Sequence, residues 1–145
     1  MNLTPHFTLE ELTFSSTATA RGIDNTAPPE VVANLQKLAI GLERVRAVLN
    51  APLHIDSGYR SPELNQIVRG VPTSAHLTGF AADFVCPQAG SPLQIVEKIK
   101  DSGLIQFDQL IQEGNWVHIS FAPAMRQEIL TAHFDGGTAS YTQGA

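Results

Sequence analysis

Apolar residues at four- and three-residue spacing, Val31, Leu35, Leu38, Leu42, Val45 and Leu49, form one stripe and predict a helix over Pro29–Leu49. Two prolines suit its first turn. Leu93, Val96 and Ile99 predict a second helix over Pro92–Ser102, stopped by Gly103. Shorter helices are expected over Phe7–Phe14, capped by Thr8, and from Ser61-Pro62 to Gly70. Alternation predicts strands over Leu53–Tyr59, Ala81–Cys86, Phe107–Glu113 and Trp116–Phe121, the last two joined by a two-residue type II′ turn at Gly114-Asn115. Ser15–Ala27 and Val71–Gly79 read as loops, and Arg126–Phe134 as either strand or helix. Residues 135–145, rich in Gly, Thr, Ser and Gln, read as a flexible tail behind a domain spanning residues 1–134. The mixed order with one clear hairpin predicts a single α+β domain with a mainly antiparallel sheet flanked by helices.

Composition narrows the function classes. With 145 residues, 43% of them hydrophobic, the chain can bury one core. The formal net charge is -5 and no Lys/Arg cluster occurs, which argues against nucleic acid or an anionic membrane surface as partner. No apolar run approaches the ~20 residues of a membrane helix, so no membrane insertion is expected, and a monomer is the expected state. Met1–His6 carries neither a basic n-region nor an apolar h-region, so a substrate outside the cytoplasm would have to be reached by another route. The single cysteine, Cys86, excludes an intramolecular disulfide and reads as a buried thiol.

The candidate chemistry sits in two segments, Ser74-Ala75-His76-Leu77-Thr78-Gly79-Phe80-Ala81-Ala82-Asp83 and Trp116-Val117-His118-Ile119-Ser120. His76, Asp83 and His118 offer two imidazole nitrogens and a carboxylate oxygen, a donor set for a zinc ion with an open fourth position. Spacing alone leaves a structural role for these histidines equally open. Strand parity groups the residues: Asp83 shares a face with Ala81 and Val85, and His118 with Trp116 and Ser120, while the opposite faces are uniformly apolar and suit the core. The hairpin sets Glu113 opposite Trp116 and Ile111 opposite His118. Glu113 is then a diagonal neighbour of His118, at roughly 7–8 Å between backbones, and a carboxylate there suits a general base for a metal-activated water.

These residues resemble the zinc D-alanyl-D-alanine peptidase family, which includes D,D-carboxypeptidases, D,D-dipeptidases and phage L-alanyl-D-glutamate endolysins. Its signature S-x-H-x-x-G-x-A-x-D is matched by Ser74, His76, Gly79, Ala81 and Asp83, and its later Trp-x-His by Trp116-Val117-His118. The lead-in Ser57-Gly58-Tyr59-Arg60-Ser61-Pro62, with Asn65, is similar too, and Phe7-Thr8-Leu9-Glu10-Glu11-Leu12-Thr13 resembles phage and prophage members. The resemblance implies a Hedgehog/D,D-peptidase-like fold, one zinc ion bound by His76, Asp83 and His118, and Arg60 as the arginine that binds or polarises substrate. Many members place the catalytic glutamate three residues before the last histidine. Asn115 occupies that position here, and Glu113 is the available carboxylate.

The expected function is therefore zinc-dependent hydrolysis of amide bonds in peptidoglycan stem peptides, with Glu113 as base and Ser74 and Trp116 lining the cleft. A phage enzyme of this kind would reach the wall through a holin. Two rivals remain at this level: a non-catalytic zinc-containing binding module and a phage structural component.

Overall fold

The computed structural model describes residues 1–135 and 138–144. Along the chain, a small antiparallel pair, β1 (Asn2–Thr4) and β2 (Phe7–Thr8), leads into two short helices, α1 (Leu9–Thr13) and α2 (Ser16–Arg21). The long helix α3 (Pro29–Leu49) follows, then β3 (His54–Ser57), α4 (Pro62–Ile67) and a 3-10 turn at Ala75–Thr78. The second half comprises β4 (Ala81–Val85), α5 (Pro92–Ser102), β5 (Gln109–Gln112), β6 (Val117–Ser120), β7 (Glu128–Asp135) and β8 (Thr138–Gln143). Strands β3 to β8 form one sheet in the order β3-β4-β6-β5-β7-β8. Only β5 and β7 run parallel; the other pairs are antiparallel. The chain is a single α+β domain.

One face of the sheet is the core. Phe84, Leu110, Val117 and Ile119 project from it into a cluster that also holds Leu35, Leu38 and Leu42 of α3 and Val96 and Ile99 of α5. The helical stripe is therefore the face of α3 that is removed from water, and each such leucine contributes about 1.5–3 kcal/mol by burial. α5 is fixed at both ends: Ser91 and Gln94 form a reciprocal capping box, and Gly103 adopts the left-handed conformation after its last turn. Cys86 is buried and free.

Three expectations are corrected. Within the predicted loop Ser15–Ala27, Ser16–Arg21 is helical, because Ser15 Oγ accepts the Ala18 amide at 3.1 Å and Gly22 closes the other end. The N-terminal helix begins at Leu9, with Phe7 paired in β2 and Thr8 as the cap. The expected flexible tail instead forms β8, which pairs with β7 from Leu130↔Gln143 to Asp135↔Thr138. Residues 136, 137 and 145 of that stretch lie outside the described residues. The ambiguous segment before it is strand β7.

The candidate metal centre

The hairpin expectation holds in register. Ile111 faces His118, and the Glu113 amide donates to the Trp116 carbonyl at 3.0 Å. Gly114 takes φ +85, as the first central position of such a turn requires. On its other side β6 pairs with β4, and the register sets Asp83 directly opposite His118. Their side chains therefore stand next to each other on the face away from the core, with His118 Nδ1 2.9 Å from Asp83 Oδ1.

His76 reaches the same oxygen from a different element. The 3-10 turn that carries it is capped by Ser74 Oγ, which accepts the His76 amide at 3.2 Å, and ends at Gly79, φ +80. A Cβ on Gly79 would lie 2.9 Å from Val31 Cγ1, so this position needs glycine for both its angle and its packing against α3. His76 Nε2 lies 3.2 Å from Asp83 Oδ1, and its Nδ1 lies 2.7 Å from the Gly58 carbonyl. That carbonyl can only accept, so Nδ1 carries the proton and Nε2 presents its lone pair towards Asp83. Gly58 is held in place because the following amide, that of Tyr59, donates to Leu12 O at 2.8 Å, and a Cβ on Gly58 would lie 2.2 Å from that same oxygen.

The protonation states suit a cation. Burial pushes His76 below its ordinary pKa and keeps it neutral, although Asp83 opposes this. Burial would raise Asp83, but the adjoining His76 and His118 outweigh it and hold the carboxyl well below its ordinary value. One donor atom from each of His76, Asp83 and His118 lies within 4.8 Å of the other two. Two imidazoles and one carboxylate, with His76 oriented from behind by a backbone carbonyl, are a donor set for zinc and can hold one such ion.

The triad opens into a groove of about 1070 Å3. Arg60, Ser74, Glu113 and Trp116 all line it. Glu113 is only 9% exposed. Burial raises its pKa, with His118 opposing and Asp83 adding to the rise. Arg60 donates from Nη2 to Ser74 Oγ at 3.1 Å, and its amide donates to the His76 carbonyl at 3.0 Å. Its Nε is buried with no partner among the described residues. Ser74 thus braces both Arg60 and His76. Asn115 is exposed in the turn and does not line the groove.

The family comparison now has a geometry to meet. The family model described as Peptidase M15 matches residues 5–120, which include all three metal-binding candidates. The chain belongs to the Peptidase M15 family. M15 peptidases are zinc metallopeptidases, and the triad supplies this one with residues able to hold the ion. A comparison with curated proteins gave no match.

Several residues of this M15 peptidase escaped the sequence reading. Asn25 donates from Nδ2 to the Thr13 and Tyr59 carbonyls and accepts the Ser61 amide at Oδ1, tying the N-terminal segment to the loop that carries Arg60. Asp108 is buried and receives Arg126 Nε and Nη2 in a two-pronged pair at 2.8 and 3.0 Å, on the groove wall. A β-irregularity between Ile55 and Ser57 brings Ser57 opposite Asp83 and puts Asp56 beside the triad, in a smaller cavity of about 190 Å3 that Arg60 and Asp83 also line. No local pattern signals Asn25 or Asp108, because each depends on a partner distant in sequence, whereas strand parity does put Asp56 on one face with His54. The histidines without a sequence-level role stand apart: His6 Nδ1 lies 2.8 Å from a Glu43 carboxylate oxygen, and His133 Nε2 lies 2.8 Å from Thr142 Oγ1.

Proposed function

We propose that this chain hydrolyses amide bonds in peptidoglycan stem peptides, using one zinc ion held by His76 Nε2, Asp83 and His118 Nδ1. The observation that carries this reading is a buried carboxylate, Glu113, lining the same groove as the triad. Zinc in such a site acts as a Lewis acid and acidifies water in its open position. Glu113 takes a proton from the attacking water and delivers it to the amine nitrogen as the C–N bond breaks. A carboxyl raised by burial suits both halves of that transfer. Arg60, cationic and with a donor left unpaired, holds a substrate carboxylate or steadies the oxyanion. Ser74 keeps Arg60 aimed, and Trp116 gives the peptide an apolar wall.

The test is digestion of purified sacculi by zinc-loaded protein, with mass spectrometry of the products. New amino termini that disappear on chelation and return with zinc are expected, and the product masses name the bond. A non-catalytic binding module would bind sacculi with no new termini. The buried Glu113 carboxylate in the triad's groove supports turnover over that reading.

A further inference from the structure

The family match ends at residue 120, yet the groove does not. Leu130, Phe134, Ala139 and Tyr141, from β7 and β8, also line it. The sheet register explains why. Ile111 pairs with Leu130 across β5 and β7, and Ala132 pairs with Tyr141 across β7 and β8. Glu113 lies two residues beyond Ile111, and Ala132 two beyond Leu130. Side chains alternate, so Glu113, Ala132 and Tyr141 fall on the groove face in one row across three strands. Strand spacing puts Tyr141 about 10 Å from Glu113 between backbones, with only the methyl group of Ala132 on the strand between them. Phe134 stands on the same face, with its ring centroid 6.4 Å from that of Trp116.

From this row we infer that hairpin β7–β8 is a wall of the substrate groove and that Tyr141 binds the peptide there, its hydroxyl donating to a carbonyl or carboxylate oxygen of the substrate. The inference rests on the peptidase reading above and adds a substrate-binding residue from beyond the family match. Tyr141 is 49% exposed and Phe134 53%, so two large aromatic faces are left uncovered beside the buried base. A tyrosine so placed offers flat apolar area and one polar tip, the combination suited to a peptide backbone. Burial raises the pKa of its hydroxyl, and the Glu113 and Asp83 carboxylates raise it further, so the group stays protonated and acts as a donor.

The test uses the full zinc-loaded chain with Tyr141→Ala and Tyr141→Phe, assayed on wall peptides. Trp116 is the only tryptophan in the chain, so its fluorescence reports peptide binding without turnover. Tyr141→Ala should raise KM and the peptide Kd about tenfold, equivalent to about 1.4 kcal/mol, with a smaller change in kcat and unchanged zinc content and melting temperature. Tyr141→Phe should retain part of the binding. Unchanged KM and Kd in Tyr141→Ala, in an active enzyme, would overturn the inference and leave the peptidase reading standing. Binding without cleavage by the wild type would overturn the peptidase reading alone, and the effect of Tyr141→Ala on Kd would still decide this one. A wild type that binds no wall peptide overturns both.

Discussion

Asp83 and His118 are direct cross-strand partners on β4 and β6, and their side chains meet with His118 Nδ1 2.9 Å from Asp83 Oδ1. Two of the three proposed ligands are thus set by sheet register and not by loop conformation. Asp83→Asn removes the anionic donor from between two imidazoles without altering the backbone pairing. Zinc affinity should fall by more than roughly 100-fold, beyond the usual effect of changing a supporting residue. Isothermal titration with zinc checks this, and retained affinity would remove Asp83 from the ligand set. Because bound metal stabilises only the folded form, chelation should also lower the melting temperature of the wild type and not of this variant.

Gly58→Ala tests the support behind His76. The added Cβ would lie 2.2 Å from the Leu12 carbonyl oxygen, a backbone atom that cannot swing aside. Either α1 or the Gly58 carbonyl must move, and the second loosens the hold on His76 Nδ1. A stability loss of about 1–3 kcal/mol is expected from the overpacking, with zinc affinity weakened roughly 10–100-fold. Denaturant unfolding of the metal-free protein and zinc titration separate the two effects.

Glu113→Gln should lower kcat by roughly 10²–10⁴, the usual worth of a positioned base, while zinc still binds. Full activity in a zinc-loaded variant would dismiss Glu113 from the mechanism. The pH dependence of stability has a definite sign, since burial raises the pKa of Glu113 in the metal-free protein. A carboxyl whose folded pKa exceeds its unfolded value stabilises the fold below the unfolded pKa and loses that contribution as pH rises through the folded one. In the metal-free protein, Glu113→Gln should therefore be stabilising at neutral pH and lose that advantage in acid.

Asp108 and Arg126 form the other buried charge on the groove wall. Arg126→Ala leaves the buried Asp108 carboxylate with neither guanidinium bond. A loss of about 1–3 kcal/mol is expected, towards the low end because Arg126 is half-exposed and screened. The Arg126 bonds lower the pKa of Asp108, so the pair stabilises the fold above the ordinary aspartate value, and that contribution fades as pH falls through the depressed one. Urea unfolding of wild type and variant should converge at low pH.

Local patterns carried a large part of this architecture. The apolar stripe and its caps gave α3 and α5 the boundaries observed, and alternation together with Gly114-Asn115 gave the hairpin register that places Glu113 opposite Trp116. What stayed hidden was non-local. No periodicity reveals that β4 lies beside β6, nor that Gly58 abuts the Leu12 carbonyl. β8 has little apolar alternation, since Ser140 to Gln143 are exposed, and it is a strand because β7 offers it an edge. α2 is too short for a helical period and is held by its caps. The triad was legible through spacing and the family signature, whereas the Gly58 carbonyl that orients His76 is a backbone atom, and the Asn25 side chain that braces the Arg60 loop meets partners distant in sequence.

The Asp83↔His118 pairing also dictates when the site comes into being. His76 and Asp83 are near neighbours in the chain, but His118 arrives only after α5 and β5 have been laid down and β6 has zipped against β4. During synthesis, therefore, the nascent chain can offer zinc only two of its three donors until the sheet closes, and any fragment ending short of β6 has no complete site. Metal capture is in this sense a report that the middle of the sheet has assembled.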